Sequence, residues 1–156
     1  MRVGISGAPA SGKTTIADEL AKELNYAVIH LTHYINEKRL ARGYDKRLNA
    51  RIVDVGKVER ELLNELPYDV IIEGHLLVEM ELPLDAMIIL KEKPTTLAKR
   101  MRERRYKEEK IEENLLAVQL DYFEKVAREK YSNVIVIKPG KTPAATVKKI
   151  REELSL

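Results

Sequence analysis

The 156-residue sequence has no cysteine, no tryptophan and a single phenylalanine. Without cysteine it has neither a disulfide framework nor a thiolate metal site, which suits a reducing compartment. Long apolar runs are also missing, so no stretch has the length of a membrane-spanning helix. Arg2 leads at once into a short apolar run and a glycine-flanked loop, so no signal peptide is expected. These absences predict a soluble, cytoplasmic protein with no membrane partner. Repeats, low-complexity tracts and Gly/Ser linkers are lacking as well, which predicts one domain over 1–156, long enough to bury a core.

Charge is plentiful. Asp, Glu, Lys and Arg make up 34% of the chain, a balance met in heat-adapted proteins. The net charge is only +3, and it is concentrated. Between Lys99 and Lys110 seven basic residues face three acidic ones, and the remainder is close to neutral. One basic segment is not a general nucleic-acid surface, so sequence-specific nucleic-acid binding is not expected.

Short β-rich runs alternate with longer amphipathic ones, the pattern of an α/β fold with a parallel sheet covered by helices. Strands are predicted near Arg2–Ser6, Tyr26–His30, Asp69–Glu73, Asp85–Leu90 and Asn133–Lys138. Helices are predicted near Lys13–Leu24, His33–Arg42, Val55–Leu66, Thr95–Arg104, Glu112–Lys130 and Ala144–Leu154. In such sheets the ligand crevice lies beyond the carboxyl ends of the strands, so the functional residues belong there.

The first of those ends carries Gly7-Ala8-Pro9-Ala10-Ser11-Gly12-Lys13-Thr14, which fits G-x-x-x-x-G-K-[ST] between a strand and a helix. A loop of this kind turns backbone N–H groups inward on phosphate oxygens, aided by the positive end of the following helix. Gly7 and Gly12 supply the unusual dihedrals. Lys13 reaches the β- and γ-phosphates, Thr14 offers its hydroxyl to Mg²⁺, and Thr15 adds a bond to the α-phosphate. Nucleotide binding follows, with Mg²⁺ and ATP as the expected cofactor and donor.

At the end of the third predicted strand, Val70-Ile71-Ile72 delivers Glu73, a carboxylate placed to hold Mg²⁺ or its water shell. His75 lies two residues on and points the same way if the backbone stays extended. It could then orient a water or a substrate oxygen. Further along, Arg100 and Arg104 share a helical face. Arginines that close over a transferring phosphoryl group stabilise its charge and exclude water, and Arg104 is the first choice. The segment after the second strand, with a predicted turn at Arg42-Gly43-Tyr44-Asp45, is longer than a crossover needs. It suits a flap over a second substrate, with Thr32, Arg39 and Arg42 as contacts. After the last strand, the loop Lys138–Pro143 borders the place of a purine, with Lys141 as a contact.

Taken in order, these residues resemble the adenylate kinase isozyme 6 family, also described as coilin-interacting nuclear ATPases. The likeness rests on the phosphate loop, Arg42-Gly43-Tyr44-Asp45, Val53-Asp54, Glu73-Gly74-His75, Arg104-Arg105-Tyr106 and Lys110-Ile111-Glu112-Glu113-Asn114. It implies a P-loop NTPase fold of the nucleoside-monophosphate-kinase type. The sheet would have five parallel strands, with a monophosphate-binding region at 30–53 and a short lid at 103–113. It further implies transfer of the ATP γ-phosphate to AMP with accompanying ATPase activity. ATP contacts are implied at Ala10, Gly12, Lys13, Thr14, Thr15 and Arg104. A platform protein of the small ribosomal subunit is the implied partner, in subunit maturation. Two positions depart from the family: Glu73 stands where many members have Asp, and Arg105 where they have glycine. Arg105 stiffens the lid or adds a phosphate contact. Another small acceptor, such as a sugar acid, or a nucleotide-switched assembly ATPase remains an open alternative.

Overall fold

The predicted alternation is realised in the computed structural model, which describes residues 1–47 and 50–156. In chain order come β1 (Arg2–Gly7), α1 (Lys13–Leu24), β2 (Ala27–His30), α2 (Leu31–Glu37), β3 (Ala41–Asp45) and β4 (Ala50–Val53). They are followed by α3 (Val55–Glu65), β5 (Val70–Glu73), a 3-10 turn (His75–Glu79), β6 (Ala86–Leu90) and α4 (Pro94–Glu103). The chain then forms α5 (Glu108–Gln119), α6 (Tyr122–Lys130), β7 (Val134–Ile137) and α7 (Pro143–Leu154).

The main sheet has five parallel strands in the order β2-β5-β1-β6-β7. Strands buried on both faces must be apolar throughout, and β5 and β6 meet that demand: Val70–Ile72 and Ala86–Leu90 are almost wholly shielded. Their alternation sorts the core into two layers. Val70, Ile72, Met87 and Ile89 face Tyr34 and Ile35 of α2, Val58 and Leu62 of α3, Leu97 and Met101 of α4, and Phe123 of α6. Ile71, Ile88 and Leu90 join Val3 and Ile5 against Ile16 and Leu20 of α1 and Val147 and Ile150 of α7. Truncating one such buried isoleucine to alanine costs about 2–5 kcal/mol. This core holds the carboxyl ends of five strands along one edge.

Two predicted helices are corrected. The helix expected over His33–Arg42 begins at Leu31 and ends at Glu37, because Arg39 turns left-handed with φ 53°. The Leu40 N–H then bonds the Ile35 carbonyl at 3.0 Å, and Leu40 itself is buried, which closes the helix and redirects the chain. The expected turn at Arg42–Asp45 is therefore strand: β3 pairs antiparallel with β4 in a separate hairpin, with a bulge at Arg42. The single long helix expected over Glu112–Lys130 is two helices. Asp121 adopts φ 51° between α5 and α6, and its carboxylate lies 2.7 Å from Lys91 Nζ just past β6. Asp tolerates the left-handed region, and the ion pair pins the break to the sheet. Residues 48 and 49, part of the expected monophosphate-binding region, lie outside the described residues.

Candidate active site

The loop after β1 has the backbone that a phosphate cradle needs. Gly7 has φ 144°, and a Cβ there would stand 2.7 Å from the Leu90 carbonyl oxygen; Gly12 has φ 90°. Both positions exclude ordinary side chains. Ala10 also lies at positive φ, 66°. Gly12 is the N-cap of α1 and has no side chain to bond its first amides, whereas Asp54 caps α3 and Thr142 caps α7. The amino end of α1 thus keeps its donors for an anion.

Lys13 is buried, and its Nζ donates to the Ala8 carbonyl at 2.8 Å, spanning the loop. Desolvation pulls its pKa down to about 8, against the pull of Glu73 and with help from Arg104. At neutral pH it is a poorly solvated cation, held by the Ala8 carbonyl and attracted by Glu73. Thr14 and Thr15 are exposed at the start of α1.

Glu73 ends β5 with only 6% of its surface exposed. The Thr14 hydroxyl donates to its Oε1 at 3.2 Å, so the loop threonine and the strand-end carboxylate, both expected at Mg²⁺, lie together. They present two hard oxygen donors side by side. No group of three or more His, Cys, Asp or Glu among the described residues could cage a metal. The Thr14 and Glu73 oxygens fit Mg²⁺, which is usually held by one or two carboxylates, with substrate phosphates and water completing the shell.

His75 does not continue the extended backbone, because the 3-10 turn begins there. Its pKa falls to about 4, from desolvation first and then the ammonium groups of Lys13 and Lys110. The residue as a whole is nonetheless exposed, so His75 is a neutral imidazole with solvent access.

The two arginines of α4 have different surroundings. Arg100 Nη1 donates to the Ala10 carbonyl at 3.0 Å and lies 3.6 Å from Glu92, tying α4 to the phosphate loop. Arg104 is exposed at the end of α4, free of ion pairs among the described residues, and close enough to Lys13 to depress its pKa. Arg105 takes φ 59°, and its N–H bonds the Arg102 carbonyl at 2.9 Å. A left-handed residue at this place closes the helix, a backbone conformation that glycine adopts at no steric cost.

Thr32 on α2, Arg39 in the turn after it and Arg42 on β3 are exposed, and among the described residues none of them is hydrogen-bonded or ion-paired to Lys13 or Glu73. Arg42 is the bulged residue of β3 and has no ion pair among the described residues. Lys141 is exposed in the loop after β7, on the same sheet edge but apart from the cluster.

Sequence reasoning passed over three groups. His30, at the end of β2, stands in register beside Glu73, with Nδ1 3.0 Å from Glu73 Oε1 and Nε2 2.9 Å from Asp18. Lys110 sits over the Tyr106 ring, 4.6 Å from its centroid. Lys107 Nζ donates to the Lys46 and Arg47 carbonyls, and Arg47 pairs with Glu109 at 2.7 Å. The residues after α4 thereby reach the hairpin. The parallel order of the sheet was the signal for His30; the Lys110–Tyr106 contact is local, and the contacts of Lys107 and Glu109 depend on a hairpin that was read as helix and turn.

A family model described as AAA domain matches residues 3–121. A Pyrococcus abyssi protein named "Putative adenylate kinase" is 36% identical over 152 residues, covering 96% of this chain and 82% of its own. The chain belongs to this kinase family. A Methanosarcina barkeri protein of the same name is 36% identical over 125 residues, 78% of this chain and 67% of its own. Among solved structures, the kinase fold matches shikimate kinase from Acinetobacter baumannii with a TM-score of 0.70 at 20% identity, covering 99% of this chain and 93% of that one. It also matches deoxyadenosine kinase from M. mycoides with a TM-score of 0.63 at 18% identity, with 99% of each chain covered. At these identities the structural likeness speaks for the fold: a P-loop sheet of the nucleoside-monophosphate-kinase type, as expected.

Proposed function

We propose that this kinase transfers the γ-phosphoryl group of ATP to AMP, giving two ADP, and hydrolyses ATP slowly when no acceptor is bound. The observation that carries this reading is the 3.2 Å contact between Thr14 and Glu73, which sets two magnesium-compatible oxygens beside a buried Lys13. The names of the archaeal relatives support AMP as the acceptor.

In this reading the loop amides and Lys13 hold the β- and γ-phosphates, with Ala10, Gly12 and Thr15 forming the rest of the cradle. Thr14 and Glu73 would hold Mg²⁺, which supplies charge neutralisation to the transferring group. An AMP phosphate oxygen forms the new bond to Pγ as the bridging bond to the β-phosphate breaks, and that electron pair remains on ADP. Arg104 stabilises the charge that spreads over Pγ, and neutral His75 orients the attacking oxygen or a competing water. Thr32, Arg39 and Arg42 receive AMP, and Lys141 borders the ATP purine. The family resemblance supports a setting in small-subunit maturation, with a platform ribosomal protein as partner.

The test is an acceptor survey with Mg-ATP, comparing AMP, the other nucleoside monophosphates and shikimate. ADP formation that depends on AMP supports the reading. Transfer to a different acceptor, or phosphate release indifferent to every acceptor, would replace it with another kinase or an ATPase switch.

A further inference from the structure

The side chain of Glu73 has three rotatable torsions, and a carboxylate that serves a metal has to be held in one of its many rotamers. Two contacts hold it, from Thr14 Oγ1 at 3.2 Å and from His30 Nδ1 at 3.0 Å, and both fall on Oε1. Oε2 is engaged by neither. His30 is fixed in turn. Its Nε2 lies 2.9 Å from Asp18 Oδ1 on α1, and its Cα is in register with that of Glu73 across the parallel pair of β2 and β5. Asp18, His30, Glu73 and Thr14 therefore form a closed circuit: α1 carries both ends, while β2 and β5 carry the middle. The imidazole ring thus has a carboxylate oxygen within 3.0 Å of each nitrogen, one from α1 and one from β5.

We infer that His30 is a positioning residue for magnesium binding: it clamps Glu73 through Oε1 and leaves Oε2 free to serve the metal that Thr14 and Glu73 would hold, and Asp18 anchors the clamp. This rests on the reading of Thr14 and Glu73 as the magnesium pair. Outer partners of metal ligands act by fixing ligand orientation, and their loss weakens metal affinity while leaving the ligands in place. Binding of metal-free nucleotide depends on Lys13 and the loop amides and does not pass through the circuit. His30 should therefore separate the two affinities.

The experiment measures binding of ADP and of a non-hydrolysable ATP analogue by calorimetry, in EDTA and across a Mg²⁺ titration. The proteins are wild type, His30→Ala, His30→Asn and Asp18→Ala. His30→Ala is expected to raise the half-saturating Mg²⁺ concentration about tenfold, with nucleotide affinity in EDTA unchanged within about twofold. Asn can offer an amide donor near the place of Nδ1, so His30→Asn should recover most of the loss. Asp18→Ala, at an exposed site, should move the midpoint the same way by a smaller factor and serves as the test if His30→Ala does not fold. A Mg²⁺ midpoint unmoved in folded His30→Ala, or unmoved in Asp18→Ala where His30→Ala fails to fold, overturns the clamp. Equal losses in EDTA and in Mg²⁺ overturn it too, since they mark a general structural role. If wild type itself binds nucleotide with no dependence on Mg²⁺, the magnesium reading of Thr14 and Glu73 fails first.

Discussion

Thr14 and Glu73 lie 59 residues apart in the chain and are joined by a hydrogen bond of 3.2 Å. One opens α1 and the other closes β5, so the contact exists only because β5 lies beside β1 in the sheet. Replacing the charged oxygen tests what the contact is for. Glu73→Gln keeps the shape and removes the charge, and is expected to lower turnover by about a hundredfold or more, because a bound metal contributes several kcal/mol at the transition state. Steady-state rates at saturating ATP check this, with ADP affinity in EDTA expected to stay near wild type.

Lys13 sets function against stability. Its ammonium is buried, with a pKa of about 8 against 10.5 for a free lysine. Below pH 8 both folded and unfolded chains carry the proton, and the folded protein bears the full cost of burying the charge. Between about pH 8 and 10.5 the unfolded chain binds more protons, so stability rises with pH across that window. Lys13→Met should stabilise the nucleotide-free protein at pH 7 by about 1–3 kcal/mol, the upper figure being the pKa drop converted to free energy. The gap to wild type should then narrow from pH 8 to 10.5, while nucleotide binding is lost. Urea unfolding of both proteins across that range measures the gap, and a variant less stable at pH 7 would refute the burial cost.

Arg42 is presented by a bulge and has no ion pair among the described residues. Arg42→Ala should raise the KM for AMP about tenfold or more, as loss of a charge-assisted bond to phosphate requires, with the KM for ATP unchanged. Equal effects on both would place the guanidinium outside the acceptor site.

The left-handed Arg105 carries a conformational cost of about 1–2 kcal/mol that glycine avoids, partly offset by the greater freedom of glycine in the unfolded chain. Arg105→Gly is expected to leave the protein equally stable or up to about 1 kcal/mol more stable, and to speed amide exchange over 104–107. Slower exchange there would contradict the view that Arg105 stiffens this turn.

What the sequence made legible was whatever repeats locally. All five parallel strands and the phosphate loop announced themselves through apolar runs and glycine spacing, and the convergence of Lys13, Thr14 and Glu73 followed from parallel order. The hairpin was hidden because Arg39 ends α2 by a left-handed turn that no residue type at that position signals. The break at Asp121 was hidden because it depends on Lys91, far away in the chain. His30 was missed for the same reason: its partners, Asp18 and Glu73, come from two other elements.

The central claim is phosphoryl transfer to AMP, and mass balance tests it most directly. Purified protein with Mg-ATP and AMP is followed for ATP, ADP, AMP and phosphate together. Two ADP formed for each AMP consumed, with no matching phosphate release, is the expected result. Phosphate released at the same rate with and without AMP, and AMP left intact, would contradict it.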